Sequence, residues 1–173
     1  MGSFAELIAF RLLIKRPKPD FVLFFIACTL SNLGYLTLAI SRTVPEALLA
    51  NKIVYLGGIF LPYFMLQSIA AFCNFKLPHW LEIVLLVFSF IVLALTFSAG
   101  YSQIYYRNVA LGEYMKVRYL WKSYGPTHIF FPILLFTEIA LAAFLVLRAI
   151  RKQRDVTLHT TILLLWGLLF SVG

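Results

Sequence analysis

FVLFFIACTLSNLGYLTLAIS, residues 21–41, carries no formal charge between Asp20 and Arg42. Two further stretches share that property: residues 53–75, between Lys52 and Lys76, and residues 83–106. A hydrocarbon core roughly 30 Å thick needs about 20 mostly apolar residues at about 1.5 Å rise each. Helices satisfy their own backbone N–H and C=O groups where no water reaches them. Each stretch therefore reads as a membrane-crossing helix, and the fold class is an all-α membrane protein, a polytopic transmembrane helix bundle.

Composition points the same way. With 62% hydrophobic and 13% charged residues in 173, there is too little polar surface to cover a soluble domain. Mean hydropathy is +0.90. The net charge of +8 would point to nucleic acid in a soluble protein. Here the Lys and Arg residues fall between apolar runs, where they set topology and meet lipid headgroups, so the expected partners are membrane lipids and not nucleic acid. Cys28 and Cys73 lie inside apolar runs without a His or Cys at metal-ligand spacing and read as packing residues. Glu6 and Arg11 interrupt the first apolar segment, which fits neither a signal peptide nor a full span, and Glu6 stands where a myristoylation site needs Ser or Thr.

The spans expected from the pattern cover residues 21–40, 53–73, 81–97 and 128–147, with a partial one at 4–14 and an incomplete one at 159–173. An interfacial amphipathic helix is the competing reading of 4–14. The final apolar run reaches Gly173 with no cap or basic stop, so residues 1–173 read as a single transmembrane module that is part of something longer. Alternate connections receive eight and six basic residues. The densest cluster, Arg148, Arg151, Lys152 and Arg154, is taken as the cytoplasmic anchor, which puts residues 100–126 outside.

Within that outer connection Met115, Val117, Tyr119 and Trp121 alternate with Lys116, Arg118, Leu120 and Lys122, the period of a strand. Residues 104–110 supply a partner strand, Leu111-Gly112-Glu113 the turn, and Gly125-Pro126 the end of a short β-hairpin-like loop. The loop reads either as a lid over an outer ligand pocket, carried by Lys116, Arg118, Tyr119 and Trp121, or as simple cover for helix ends.

Glu138 lies near the midpoint of the 128–147 span, where a charged acid costs roughly 2.5 to 3.5 kcal/mol. Asn32, Gln67 and Ser68 stand at comparable depth. The expectation is a polar sensing cluster of Glu138, Asn32 and Gln67; the alternative is an interhelical hydrogen bond that only fixes packing. Glu82, near the interface beside His79 and Trp80, reads as snorkelling to water. Pro62 and Pro132 fall inside apolar runs and are candidate helix hinges. Gly34, Gly57 and Gly58 allow close helix approach. His79, His128 and His159 stand at separate helix entrances, with no HExxH, phosphate-cradling loop, nucleophile elbow or carboxylate pair, so no catalytic residue, metal or cofactor is expected.

Two motifs carry a family resemblance: Asn51-Lys52-Ile53-Val54-Tyr55-Leu56-Gly57-Gly58-Ile59-Phe60-Leu61-Pro62, and Tyr124-Gly125-Pro126-Thr127-His128 at the end of the long loop. With the basic patch at Arg148 to Arg154, the chain resembles the N-terminal seven-helix sensor region of bacterial histidine kinases and diguanylate cyclases over nearly its whole length. The resemblance implies a multi-pass module of the bacterial cytoplasmic membrane. It would detect an extracellular or membrane stimulus, such as a small ligand, and relay it by helix rearrangement to a kinase or cyclase domain. It also implies a homodimer in the intact protein, and no enzyme activity in this chain itself. Against the family pattern, the first helix is short, the sixth stops at Gly173, and the resemblance implies a seventh helix and a kinase or cyclase output domain that are missing from residues 1–173. A fragment of a small transporter or permease is the alternative, with Glu138 and broken helices lining a path; a structural membrane subunit is a third reading.

Overall fold

The structure, a computed structural model, describes residues 19–73, 75–115 and 117–152. The spans read at 4–14 and 159–173, and the side chains of Lys116, Lys152 and Arg154, lie outside those residues. The described chain runs α1 Pro19–Ile40, α2 Val44–Gly58, α3 Phe60–Phe72, α4 His79–Phe97, β1 Tyr106–Tyr114, β2 Val117–Tyr124, a 3₁₀ turn Pro126–Ile129, and α5 Phe130–Lys152. Four helical runs among them are long and apolar enough to cross a membrane: Pro19–Ile40, Val44–Ala71, His79–Phe97 and Pro126–Ala149. The protein is a helical membrane bundle with one small antiparallel hairpin.

The second span starts at Val44, nine residues before the expected Ile53. A local cap explains the difference. The Glu46 N–H donates to Thr43 Oγ1 at 3.4 Å, and the Glu46 carboxylate accepts the Arg42 N–H at 2.8 Å, while Pro45 sits in the first turn, where its missing N–H would have no helical partner. Thr43→Ala is expected to lower bundle stability by about 1 kcal/mol, read as a lower unfolding midpoint in detergent.

Small residues join α1 to α2. A Cβ placed on Gly34 would meet the Val54 amide nitrogen at 2.5 Å, and one on Gly57 would run into the Ala27 carbonyl oxygen and the Ser31 amide. Apolar burial does not drive helices together in lipid, so backbone approach of this kind is a main source of their cohesion. The hydrogen-bond ladder is interrupted at Ile59, between α2 and α3, because Pro62 has no N–H to offer the Gly58 carbonyl, while the Ile59 backbone itself stays helical at φ −73° and ψ −41°.

Pro132 lies inside the Pro126–Ala149 span, near its start. It stands in the first turn of α5, directly after the 3₁₀ turn, where the backbone N–H groups lack intrahelical acceptors. No interior hydrogen bond of α5 is lost there.

The hairpin also turns elsewhere than expected. Tyr114 pairs with Val117, so the chain reverses between them, with Met115 in the left-handed region at φ 49°. Leu111, Gly112 and Glu113 continue β1 opposite Leu120, Tyr119 and Arg118. Gly112 marks a bed for the Tyr119 ring, whose Cζ stands 2.5 Å from where a Cβ would be. Leu120 is buried against Leu38, Ala47 and Ala50, which seats β2 on the ends of α1 and α2.

The main core lies between α3, α4 and α5, with Leu66, Ile69, Val92, Leu134, Ala142 and Val146 buried in it. On the other face of α4, Ile83, Val84, Val87 and Ile91 are exposed, the lipid-facing stripe expected of a spanning helix.

Candidate functional site at the hairpin end of the bundle

Period two along β2 decides what faces the helices. Tyr119 and Trp121 point outward, at 46% and 57% exposure, while Arg118, Leu120 and Lys122 turn toward the bundle. Arg118 donates from Nη1 to the Ser41 carbonyl at 2.8 Å, pinning the strand over the α1–α2 junction, and lies 3.7 Å from Glu113. Lys122 reaches deeper and meets a line of polar side chains.

That line crosses four elements, β2, α2, β1 and the 3₁₀ turn. Lys122 Nζ donates to Asn51 Oδ1 at 3.0 Å, and Asn51 Nδ2 donates to the Tyr106 hydroxyl at 3.3 Å. The Tyr106 hydroxyl donates to the Tyr55 hydroxyl at 3.0 Å, and His128 Nε2 stands 3.5 Å from that oxygen. Asn51 and Tyr55 are one helical turn apart on α2, so both point to the same face. Rings close around them: Tyr124 stacks on His128 at 3.9 Å between centroids, Tyr105 packs edge-on to Tyr106 at 4.8 Å, and Phe131 packs edge-on to Tyr55 at 5.1 Å. Burial pushes the Tyr105 and Tyr106 phenols above their ordinary range and pulls the Lys122 ammonium below its own.

Gly125 holds the loop in this arrangement. Its N–H donates to the Tyr105 carbonyl at 2.8 Å, Thr127 Oγ1 donates to the Ile104 carbonyl at 2.9 Å, and a Cβ on Gly125 would collide with that same carbonyl group. The two sequence motifs around Asn51 and Tyr124 therefore meet in space, Asn51 and Tyr55 from one and Tyr124 and His128 from the other.

Below the network lies a cavity of about 750 Å³, a volume suited to a drug-sized molecule. Asn51, Tyr55 and Lys122 form its hairpin end; Leu61, Pro62 and Met65 of α3 and Leu135 and Ile139 of α5 form its apolar depth. Cys28, Ser31, Asn32 and Tyr35 line the α1 wall. From Phe131 to Ile139 the wall descends eight residues, about 12 Å along the helix axis.

The cluster expected around Glu138 is not assembled. Glu138 has no exposed surface and neither carboxyl oxygen has a partner among the described residues. Gln67 donates instead to the Tyr63 hydroxyl at 3.2 Å, and Asn32 is exposed on α1 at the cavity wall. Ser68, on the helix of Gln67, is buried and likewise without a partner among the described residues. Glu82 lies 3.5 Å from His79 at the far end. Arg148, also at that end, stacks its guanidinium over Phe75 at 4.8 Å, and Arg151 is exposed.

Sequence reasoning missed the residues that gather here, Lys122 above all. The strand pattern pointed the other way: Val117, Tyr119 and Trp121 make the more apolar face yet are exposed, while Leu120 is the apolar residue on the face that carries Arg118 and Lys122 toward the helices.

Polar side chains from α2 and the hairpin thus converge on a cavity between membrane helices. The family model for the N-terminal 7TM region of histidine kinase matches residues 3–173, and the chain belongs to that family. The match names histidine kinases alone; the diguanylate cyclase half of the resemblance has no counterpart in it. No curated protein and no solved structure matches the chain.

Proposed function

We propose that this chain is the input module of a bacterial histidine kinase, set in the plasma membrane with the hairpin outside and Arg148 to Arg154 in the cytoplasm. A small ligand from outside or from the membrane occupies the cavity beneath Lys122, with the hairpin as its cover. The observation that supports this reading best is the polar line from Lys122 through Asn51, Tyr106 and Tyr55 to His128, because its Lys122, Asn51 and Tyr55 members, from the hairpin and α2, line the same cavity as Leu135 and Ile139 of α5. A stimulus shifts a conformational balance only by its differential affinity for the two arrangements. The α2–α3 break at Ile59, three residues before Pro62, is the place where that difference bends a span, and α5 carries the movement to the basic cluster and the kinase beyond.

The test uses the full-length kinase in membranes. Leu135→Trp, which fills the cavity from α5, is expected to fix autophosphorylation at one level about 5-fold away from the unstimulated state, a population shift near 1 kcal/mol. Output unchanged by Leu135→Trp, with the protein folded, overturns the cavity as the input site. For orientation, Trp121→Cys is expected to react with a membrane-impermeant maleimide on intact cells; reaction only after lysis reverses the topology.

A further inference from the structure

Lys122 is a half-buried cation whose polar partner among the described residues is a neutral amide oxygen. An ammonium carries three N–H donors, and Asn51 takes one of them. The Tyr55 and Tyr106 rings lie 5.7 and 5.5 Å from Nζ and supply a weak electrostatic seat, with no anion in it. The described acids are engaged or placed elsewhere. Glu113 stands by Arg118, Glu46 caps α2, Glu82 stands by His79, Asp20 begins α1 at the far end, and neither Glu138 oxygen has a partner. A charge withdrawn from water without a counter-ion is costly, and an anion placed against it relieves that cost through short charge-assisted hydrogen bonds.

The cavity has a matching polarity. Lys122 is the single charged residue on its described wall, and it sits at the end where Asn51 and Tyr55 also present polar atoms. The deeper wall offers Leu61, Met65, Leu135 and Ile139. An inorganic anion would leave that apolar depth unfilled, and a purely apolar guest would leave the ammonium unanswered.

We propose that the cavity takes a small amphiphilic anion, with a carboxylate- or phosphate-type head against Lys122 and an apolar tail running between α3 and α5. The proposal names the ligand class for the input site argued above and rests on that reading. The same chemistry is offered by an acidic lipid of the bilayer and by a free acyl carboxylate, and the experiment separates them.

The chain is placed in nanodiscs of zwitterionic lipid and titrated with decanoate, decanol and decyltrimethylammonium. Decanoate is expected to bind saturably and at least about 10-fold more tightly than either of the others, which is 1.4 kcal/mol. Lys122→Gln, which removes the charge and keeps an N–H donor, is expected to lose that preference, and Lys122→Arg to keep it. Displacement of decanoate by phosphatidylglycerol in the disc assigns the site to a lipid, and indifference to it assigns a soluble amphiphile. Equal binding of decanol or the cationic probe, or a Lys122→Gln protein that folds and binds decanoate as before, overturns the proposal. The two readings fail separately: decanoate binding lost at Lys122→Gln with output indifferent to Leu135→Trp leaves a ligand site without a sensor. A Leu135→Trp protein fixed in output, with no preference for decanoate, leaves a sensor for another ligand.

Discussion

Gly57→Ala is expected to destabilise the bundle by about 2 to 3 kcal/mol, while Gly58→Ala next to it is neutral or stabilising by up to about 1 kcal/mol. The opposite signs follow from what each new methyl group meets. At Gly57 it meets the Ala27 carbonyl oxygen and the Ser31 amide, both main-chain atoms of α1 that move only if the whole helix moves. At Gly58 the nearest atom is the Ser31 hydroxyl oxygen at 3.9 Å, an ordinary contact, and alanine then contributes its better helix propensity. Pushing α1 away also opens the second close approach, at Gly34 and Val54, so the loss is shared along the interface. Unfolding each variant by sodium dodecyl sulfate titration from mixed micelles measures the difference. Equal effects at the two positions would show that α1 and α2 are held by something other than backbone contact.

How much of this was legible in the sequence differs by element. The spans were legible because each depends on a long apolar run, a property that no neighbour changes. The start of α2 was misread because Arg42, Glu46 and Lys52 look like a solvated connection; the Thr43 to Glu46 cap and the seat of Lys52 over the Tyr101 ring, at 4.8 Å, let charged residues stay helical near the membrane boundary. The hairpin was legible as two strands, but its turn was assigned to the glycine. Gly112 answers the bulk of Tyr119 across the ladder, a pairing that exists only once the register is set. The network had no local signature at all. Asn51 and Lys122 are 71 residues apart, and Tyr55 and His128 are 73 apart, so their meeting depends on where α2, the hairpin and α5 come to rest. The quoted motifs did contain Asn51, Tyr55, Tyr124 and His128, yet nothing in either motif alone pointed to the other.

Glu138→Met is expected to raise bundle stability by about 1 to 3 kcal/mol and to blunt the response of the full-length kinase to its stimulus. A carboxyl group with no exposed surface and no partner for either oxygen among the described residues has given up its hydration and received nothing there in exchange. Methionine fills nearly the same unbranched shape between Leu134 and Ala142 on the buried face of α5 without that penalty. Glu138→Gln keeps the buried polar atoms and is expected to change stability by less than about 1 kcal/mol, which separates the loss of polarity from the loss of an ionisable group. A more stable Glu138→Met protein with a weakened response would identify the carboxyl as a strained point in the resting arrangement, relieved when α5 shifts against α3. A less stable one would mean that Glu138 is held by a hydrogen bond and fixes packing, and the polar line beneath the hairpin would then be the whole of the input site.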